Sequence, residues 1–188
     1  MGSENSAGKI DAAFLVKRAK KKDKDAFVKL YEMVYKDLYR TAYYTLGNRE
    51  DAENVVSDTV LDAYTGIESL RDDSKFKPWI FGILSNHLKA QIRYYQKQRT
   101  YAAEEAIEEM PLADSVSETE MERLVDSAVI EQAFKVLNEE EKLIVTMTVF
   151  GGYDSKEIAD KLELNRNTVR SKYKRALAKM KTNLTKGE

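Results

Sequence analysis

Apolar side chains recur at helical spacing along nearly all of this 188-residue chain, and only two prolines and eight glycines interrupt them. Strands need alternating patterns bounded by frequent turn residues, so the chain is expected to be all-α. The sharpest instance is residues 154–180, DSKEIADKLELNRNTVRSKYKRALAKM, which divide into two helical pieces around Glu163-Leu164-Asn165. Ile158, Ala159 and Leu162 share one face of the first piece, and Val169, Tyr173, Ala176, Leu177 and Met180 form a stripe along the second. Asp154 followed by Glu157 reads as a capping box, and Asn165 reads as a second N-cap. Two short helices joined by about three residues make a helix-turn-helix.

The outward positions of its second helix are Arg166, Asn167, Arg170, Ser171 and Lys174, and residues 166–181 carry seven basic side chains and no acidic one. Arginine pairs with guanine edges and asparagine with adenine, while lysine and serine suit phosphates. A terminal helix with a solvated basic face has the same composition. The paired caps and the turn length favour DNA.

Upstream, a short helix is expected over residues 10–22. A long one follows from the cap Asp23 to residue 46, buried through Phe27, Leu30, Tyr31, Val34, Leu38 and Ala42 and stopped by Gly47. Its tyrosines at 31, 35, 39, 43 and 44 read as packing. Asn48 caps a helix over residues 49–67 whose inner face is Ala52, Val55, Val56, Thr59, Val60, Ala63 and Ile67. Asp51, Asp58 and Asp62 fall on another side within about 40° of one another, beside Leu61. An acidic row with an exposed leucine suits a basic protein partner, although Asp51 also suits the helix cap and exposed acids are ordinary. Three carboxylates on one helix, without histidine or a glycine-rich loop, do not make a catalytic centre.

A polar loop over residues 66–77 leads into a helix ending near residue 98, with Phe76, Ile80, Ile83, Leu84, Leu88, Ile92 and Tyr95 as its core stripe. Residues 75–99 hold six basic side chains and no acid, interleaved with Trp79, Phe81, Tyr94 and Tyr95. Basic groups along a backbone with aromatic faces describe a single-strand surface, and core packing accounts for the aromatics equally well. Residues 101–122 then turn acidic and are expected to be a flexible connector. Helices resume over 122–137 and 139–150, the second capped by Asn138 with Glu141, and the tail after residue 180 is expected to fray.

The formal charge of −1 conceals blocks of +5 over residues 9–101, −8 over 102–126 and +3 over 127–188. This points to two mildly basic modules and a connector. The chain has no cysteine and a single histidine, His87, so neither a disulfide framework nor a thiolate or histidine-cluster metal site is expected, and no cofactor is. No apolar run nears the roughly 20 residues that span a bilayer, and no signal pattern opens the chain, so a cytoplasmic protein without membrane insertion is expected.

In sequence order the segments resemble the bacterial RNA polymerase sigma factors, in the compact two-domain extracytoplasmic-function group of the sigma-70 family. GNREDAENVVSDTVLDAY resembles the helix that grips the clamp helices of core polymerase, and FKPWIFGILSNHLKAQIR the promoter-melting segment. LNEEEKLIVTMTVFGGYDSKEIADKLELNRNTVRSKYKRALAKMK resembles the fourth conserved region. Departures are Ser57-Asp58 where glutamine-glutamate is frequent, Asp62 at a commonly basic position, Ser85 and Ala90 for arginine and aspartate, and Glu163 for a turn glycine.

The resemblance implies a non-enzymatic sigma factor, responsive to stress or envelope signals, that recruits core polymerase to promoters and assists their opening. Its implied domains are residues 10–100, a linker over 101–122, and residues 123–184. Asp51, Asn54, Asp58, Leu61 and Asp62 would meet the clamp helices of the β′ subunit. Lys75, Lys77, Trp79, Asn86, Lys89, Arg93 and Lys97 would read the −10 element, with the loop over 66–74 receiving a flipped base. Arg166, Asn167, Arg170, Ser171 and Lys174 would read the −35 element. An anti-sigma factor is an implied partner. Two other readings are an autonomous regulator that binds an operator as a dimer and a helical adaptor that binds only protein; a flexible connector would transmit a ligand signal poorly.

Overall fold

A computed structural model describes residues 11–105 and 128–185, and every regular element in them is helical. Asp11 caps α1 (Ala12–Ala19) by accepting from the Ala13 amide at 3.0 Å. The chain then turns through Lys22, whose φ of 66° is left-handed. This turn makes α1 shorter than the expected 10–22. Asp23 caps α2 (Lys24–Leu46) and also pairs with Arg18 at 2.6 Å, tying the two helices at their junction. Gly47, at φ 70°, ends α2 as expected, because the left-handed cap conformation is free of steric cost only for glycine. Asn48 caps α3 (Arg49–Gly66).

The 66–77 stretch is not the simple polar loop its composition suggests. It forms two single 3-10 turns, Ile67–Ser69 and Asp73–Lys75, with Ile67 and Leu70 buried between them and the bundle. Those two apolar anchors pin an otherwise polar segment. Next comes α4 (Phe76–Glu105), which runs past residue 98 and takes in the first part of the expected connector. Residues 106–122 of that connector, and the expected helix start at 122 with Leu124, lie outside the described residues.

Leu15 and Val16 of α1, Leu30, Val34 and Leu38 of α2, Ala52, Val55 and Val56 of α3, and Ile80, Leu84 and Leu88 of α4 close the first core. Burying each large apolar side chain there contributes about 1.5–3 kcal/mol. The second body comprises α5 (Ala128–Lys135), α6 (Glu139–Val149), α7 (Ser155–Leu162) and α8 (Arg166–Thr185). Both expected capping boxes, Asn138 with Glu141 and Asp154 with Glu157, are formed. Ala128 and Val129 lie exposed on α5, and Leu177 is exposed on α8 although the sequence places it in the apolar stripe of that helix. Fraying was expected after residue 180, yet α8 continues to Thr185. Asn183 donates to the Gln132 carbonyl at 2.7 Å and holds the last turn of α8 against α5.

The two bodies share a face. Leu143, Ile144, Met147, Tyr153, Ile158 and Val169 join the same buried cluster as the core of α1–α4. Tyr44 of α2 sits in a second cluster with Phe134, Leu137, Val145 and Ala176. Charge blocks separated the modules in the sequence, but charge does not report which apolar faces meet.

Candidate nucleic-acid and partner interfaces

The helix-turn-helix is built by capping. The Asp154 carboxylate accepts from the amides of Lys156 at 2.7 Å and Glu157 at 2.9 Å, and these bonds hold its pKa below the ordinary carboxylate range. Glu163 ends α7 in the left-handed region (φ 57°), where the chain must reverse. Asn165 then accepts from the Asn167 amide at 2.8 Å and starts α8. Ile158, Ala159, Val169 and Ala176 bury the inner faces. The result exposes all five predicted residues, Arg166, Asn167, Arg170, Ser171 and Lys174, along one side of α8. An open groove beside them is lined by Thr148, Ser155, Asn167, Arg170, Ser171 and Lys174.

Not every basic group of α8 is available. Lys172 pairs with Glu140 at 2.6 Å and Lys179 with the buried Glu141 at 2.7 Å, tying α8 to α6. The residues facing solvent are thus separated from those that hold the unit together. Helical phase makes that division, since Lys172 and Lys179 are separated by about two full turns and so share one side of α8.

On α4 the predicted set is dispersed. Lys75, Asn86, Arg93 and Lys97 are exposed. Lys77 pairs with Asp37 at 2.7 Å and lies over the Phe81 ring. Trp79 is half-buried against Phe76. Lys89 donates to the Lys161 carbonyl at the end of α7, at 2.8 Å. Among the four interleaved aromatics, Phe81 is buried and Tyr95 is engaged with Asp51, which leaves Tyr94 as the well-exposed ring. The basic content is retained at the surface while most aromatic content goes into packing.

The acidic row of α3 is also divided. Asn54, Asp58, Leu61 and Asp62 face outward, Leu61 with 62% of its surface exposed. The Asp51 carboxylate is turned onto α4, accepting from Gln91 at 3.2 Å and from the Tyr95 hydroxyl. Burial is the main cause raising the pKa of that phenol, and Asp51 adds to it. His87 reaches Asp62 at 2.8 Å, so the single histidine lies at the edge of this face.

Two features were not read from the sequence. Lys20, near the end of α1, donates to the Leu70 carbonyl at 2.6 Å and pairs with Asp73 at 2.5 Å, fixing the two 3-10 turns before α4. Lys22 pairs with Glu68 in the same loop. In the sequence Lys20, Lys21 and Lys22 form a basic run with no hint of partners about 50 residues away. The contact between the two bodies is the second. Among the described residues no group of histidine, aspartate or glutamate could hold a metal ion, and no helix is long and apolar enough to cross a membrane.

Comparison with known proteins agrees with this geometry. The model for sigma-70 region 2 matches residues 30–100 and that for sigma-70 region 4 matches residues 127–180. The chain is 28% identical over 173 residues to the RNA polymerase sigma factor NccH of Alcaligenes xylosoxydans xylosoxydans, covering 91% of this chain and 92% of that one. It is 27% identical over 158 residues to the ECF RNA polymerase sigma factor SigM of Mycobacterium tuberculosis, covering 84% and 76%. Among solved structures, CnrH in complex with the cytosolic domain of CnrY is similar with a TM-score of 0.63 at 20% identity, covering 95% of this chain and 99% of that one. The sigma factor RpoE of Bartonella quintana, in complex with the anti-sigma factor NepR, is similar with a TM-score of 0.65 at 20% identity, covering 85% and 96%. Region 2 and region 4 matches on an all-helical chain, with a capped helix-turn-helix in the second, have one common meaning: the chain belongs to the sigma-70 family, as an extracytoplasmic-function sigma factor that directs RNA polymerase to promoters.

Proposed function

We propose that residues 10–100 dock on the clamp helices of the polymerase β′ subunit and read the −10 element, while residues 123–184 read the −35 element as duplex. The exposure of Arg166, Asn167, Arg170, Ser171 and Lys174 on one side of a capped recognition helix carries this reading. A helix presented this way enters the major groove with base-reading and phosphate-binding groups in front. Asn54, Asp58, Leu61 and Asp62 form the docking face, with Asp51 supporting it from behind. Lys75, Asn86, Arg93 and Lys97, together with Tyr94, present the melting surface, and Lys77, Trp79 and Lys89 lie at its inner edge.

The protein performs no bond chemistry in this reading and acts in the cytoplasm, where polymerase supplies most of the affinity. Two weak DNA contacts held on one polymerase gain through effective concentration. The neighbours solved with CnrY and with the anti-sigma factor NepR support an anti-sigma factor as a further partner, released on a stress or envelope signal.

The purified chain is expected to co-elute with core RNA polymerase and to drive run-off transcription from a cognate promoter. Failure to bind core at low salt, combined with tight duplex binding by the chain alone, would replace this reading with an autonomous regulator.

A further inference from the structure

The loop between α3 and α4 is held by a residue that belongs to neither helix. Its two 3-10 turns each close on a single backbone bond, from the Leu70 amide to the Ile67 carbonyl at 3.2 Å and from the Lys75 amide to the Asp72 carbonyl at 2.9 Å. Turns this short are weak by themselves. Ile67 and Leu70 sink into the bundle and fix where the loop lies. Apolar burial is non-directional, however, and leaves open how one turn faces the other.

Lys20 settles that orientation. Its ammonium donates to the Leu70 carbonyl at 2.6 Å, where the first turn ends, and to the Asp73 carboxylate at 2.5 Å, where the second begins. One cation thus ties both turns to the end of α1. A compact ammonium with three donors serves two acceptors from different directions more readily than a planar guanidinium does. The Lys20 and Asp73 side chains are only 25% and 21% exposed, so this pair is partly sheltered from screening. The Lys22–Glu68 pair, at 69% and 60%, is open to water and contributes little. Shelter makes Lys20 the organising cation of the two.

The tie holds a polar edge that borders the surface of α4. With Ile67, Leu70 and Phe76 inside, Ser69, Arg71, Asp72 and Ser74 are exposed. The Asp72 carboxylate accepts from the amide and the hydroxyl of Ser74, at 3.0 and 2.6 Å, and orients that pair. At one end of the loop a β-carbon on Gly66 would stand 3.9 Å from the Trp79 ring, and at the other end lies the exposed Lys75. Trp79 and Lys75 both belong to the set proposed above for the −10 element. Hydroxyl, carboxylate and guanidinium groups side by side offer donors and acceptors to a base edge, whereas a surface built for phosphate alone would be cationic.

We propose that Lys20 is a positioning residue for −10 selectivity. By fixing the two turns against each other it presents the edge from Ser69 to Ser74 in one geometry to an unpaired base. This rests on the −10 reading proposed above and names what sets its precision. Telling bases apart needs donors and acceptors held to within about 0.5 Å. A loop that must be ordered as the base arrives spends part of the binding free energy on its own ordering, and it accommodates wrong bases. Lys20 acts through the loop and contacts no base itself.

The full-length chain with core polymerase, transcribing two promoter libraries, tests this. One library is randomised over the −10 element and the other over the −35 element. Lys20→Met removes the ammonium at similar length, and Asp73→Asn removes the charge of its partner, so the two variants change net charge in opposite directions. Both are expected to flatten base preference at one −10 position, Lys20→Met by about fivefold or more, the lower end of what a good base contact supplies. Preference across the −35 library is expected to match the parent. Lys22→Met, which breaks the exposed pair, should change −10 preference by about twofold or less.

Unchanged −10 preference in both Lys20→Met and Asp73→Asn would overturn the proposal. So would a loss of output spread evenly over both libraries with a lowered melting temperature, the result that a purely structural Lys20 gives. Opposite effects of these two variants on −10 preference, or an equal loss in Lys22→Met, would assign the effect to net charge and overturn it as well. A parent chain that binds core and initiates with no −10 preference would overturn the promoter reading, and the proposal with it, before any variant is compared.

Discussion

The Tyr95 hydroxyl donates to the Asp51 carboxylate, joining α3 to α4 at the point where the acidic row was expected to begin. Asp51 therefore serves the helix pair, and Asp58, Leu61 and Asp62 carry the outward face. Tyr95→Phe is expected to destabilise the chain by about 1–2 kcal/mol, as for a half-buried hydrogen bond to a charged group. Its affinity for core polymerase, once folded, should be that of the parent. Asp58→Arg with Asp62→Arg should do the reverse, weakening core binding at least tenfold while shifting stability by about 0.5 kcal/mol or less. Denaturant titration and polymerase pull-down, run on the same preparations, separate the two effects.

Arg170 is exposed midway along the row of polar residues from Arg166 to Lys174 on α8. If it reads a base edge, Arg170→Ala should reduce preference at one −35 position by about 1–3 kcal/mol and leave other positions unchanged. A uniform loss across promoter variants, with a shallower salt dependence, would instead make it a phosphate contact. Competition transcription on a promoter library reads both.

Glu141 is buried in α6, and the burial pushes its carboxyl upward in pKa. Hydrogen bonds from Lys179 and from the Asn138 amide outweigh that, so it titrates below its ordinary value. A carboxyl whose folded pKa is depressed stabilises the fold fully above its unfolded pKa, about 4.3, and loses that contribution as pH falls through the folded value. Stability of the parent should therefore drop between about pH 5 and pH 3. Glu141→Gln should be less stable at pH 7 and should show a flatter profile over that window, converging on the parent at low pH. Thermal melts across the range check this.

Glu163 holds the reversal between α7 and α8 at φ 57°, a conformation in which a β-carbon is strained. Glu163→Gly should raise stability by about 0.5–1 kcal/mol, since relief of the strain exceeds the added freedom of the unfolded chain. Promoter selectivity should not change. A destabilised variant would mean that the glutamate contributes more than its backbone conformation shows.

Local chemistry made much of this protein legible before any coordinates. Asp23, Asn48, Asn138, Asp154 and Asn165 each cap the helix expected of them, because an N-cap acts over three residues and needs no tertiary partner. The exposed polar face of α8 was legible for the same reason, since the helix period places Arg166, Asn167, Arg170 and Lys174 on one side. The aromatic content of α4 was not. Trp79, Phe81 and Tyr95 suit a base-stacking surface and a core equally well, and only tertiary packing, with Gly151 beside the Phe81 ring and α3 against α4, placed Phe81 inside and Tyr95 on Asp51.

The partners of Lys20, Asp51 and Lys89 likewise lie 40 to 72 residues away in the chain, beyond the reach of any periodicity. What the sequence alone determined is therefore the order of the α-helices, the caps that start them and the exposed basic face of α8. Which of those faces meet, and that the helix-turn-helix unit rests on α4, was decided by complementary burial between distant helices, a property of shape that no local pattern encodes.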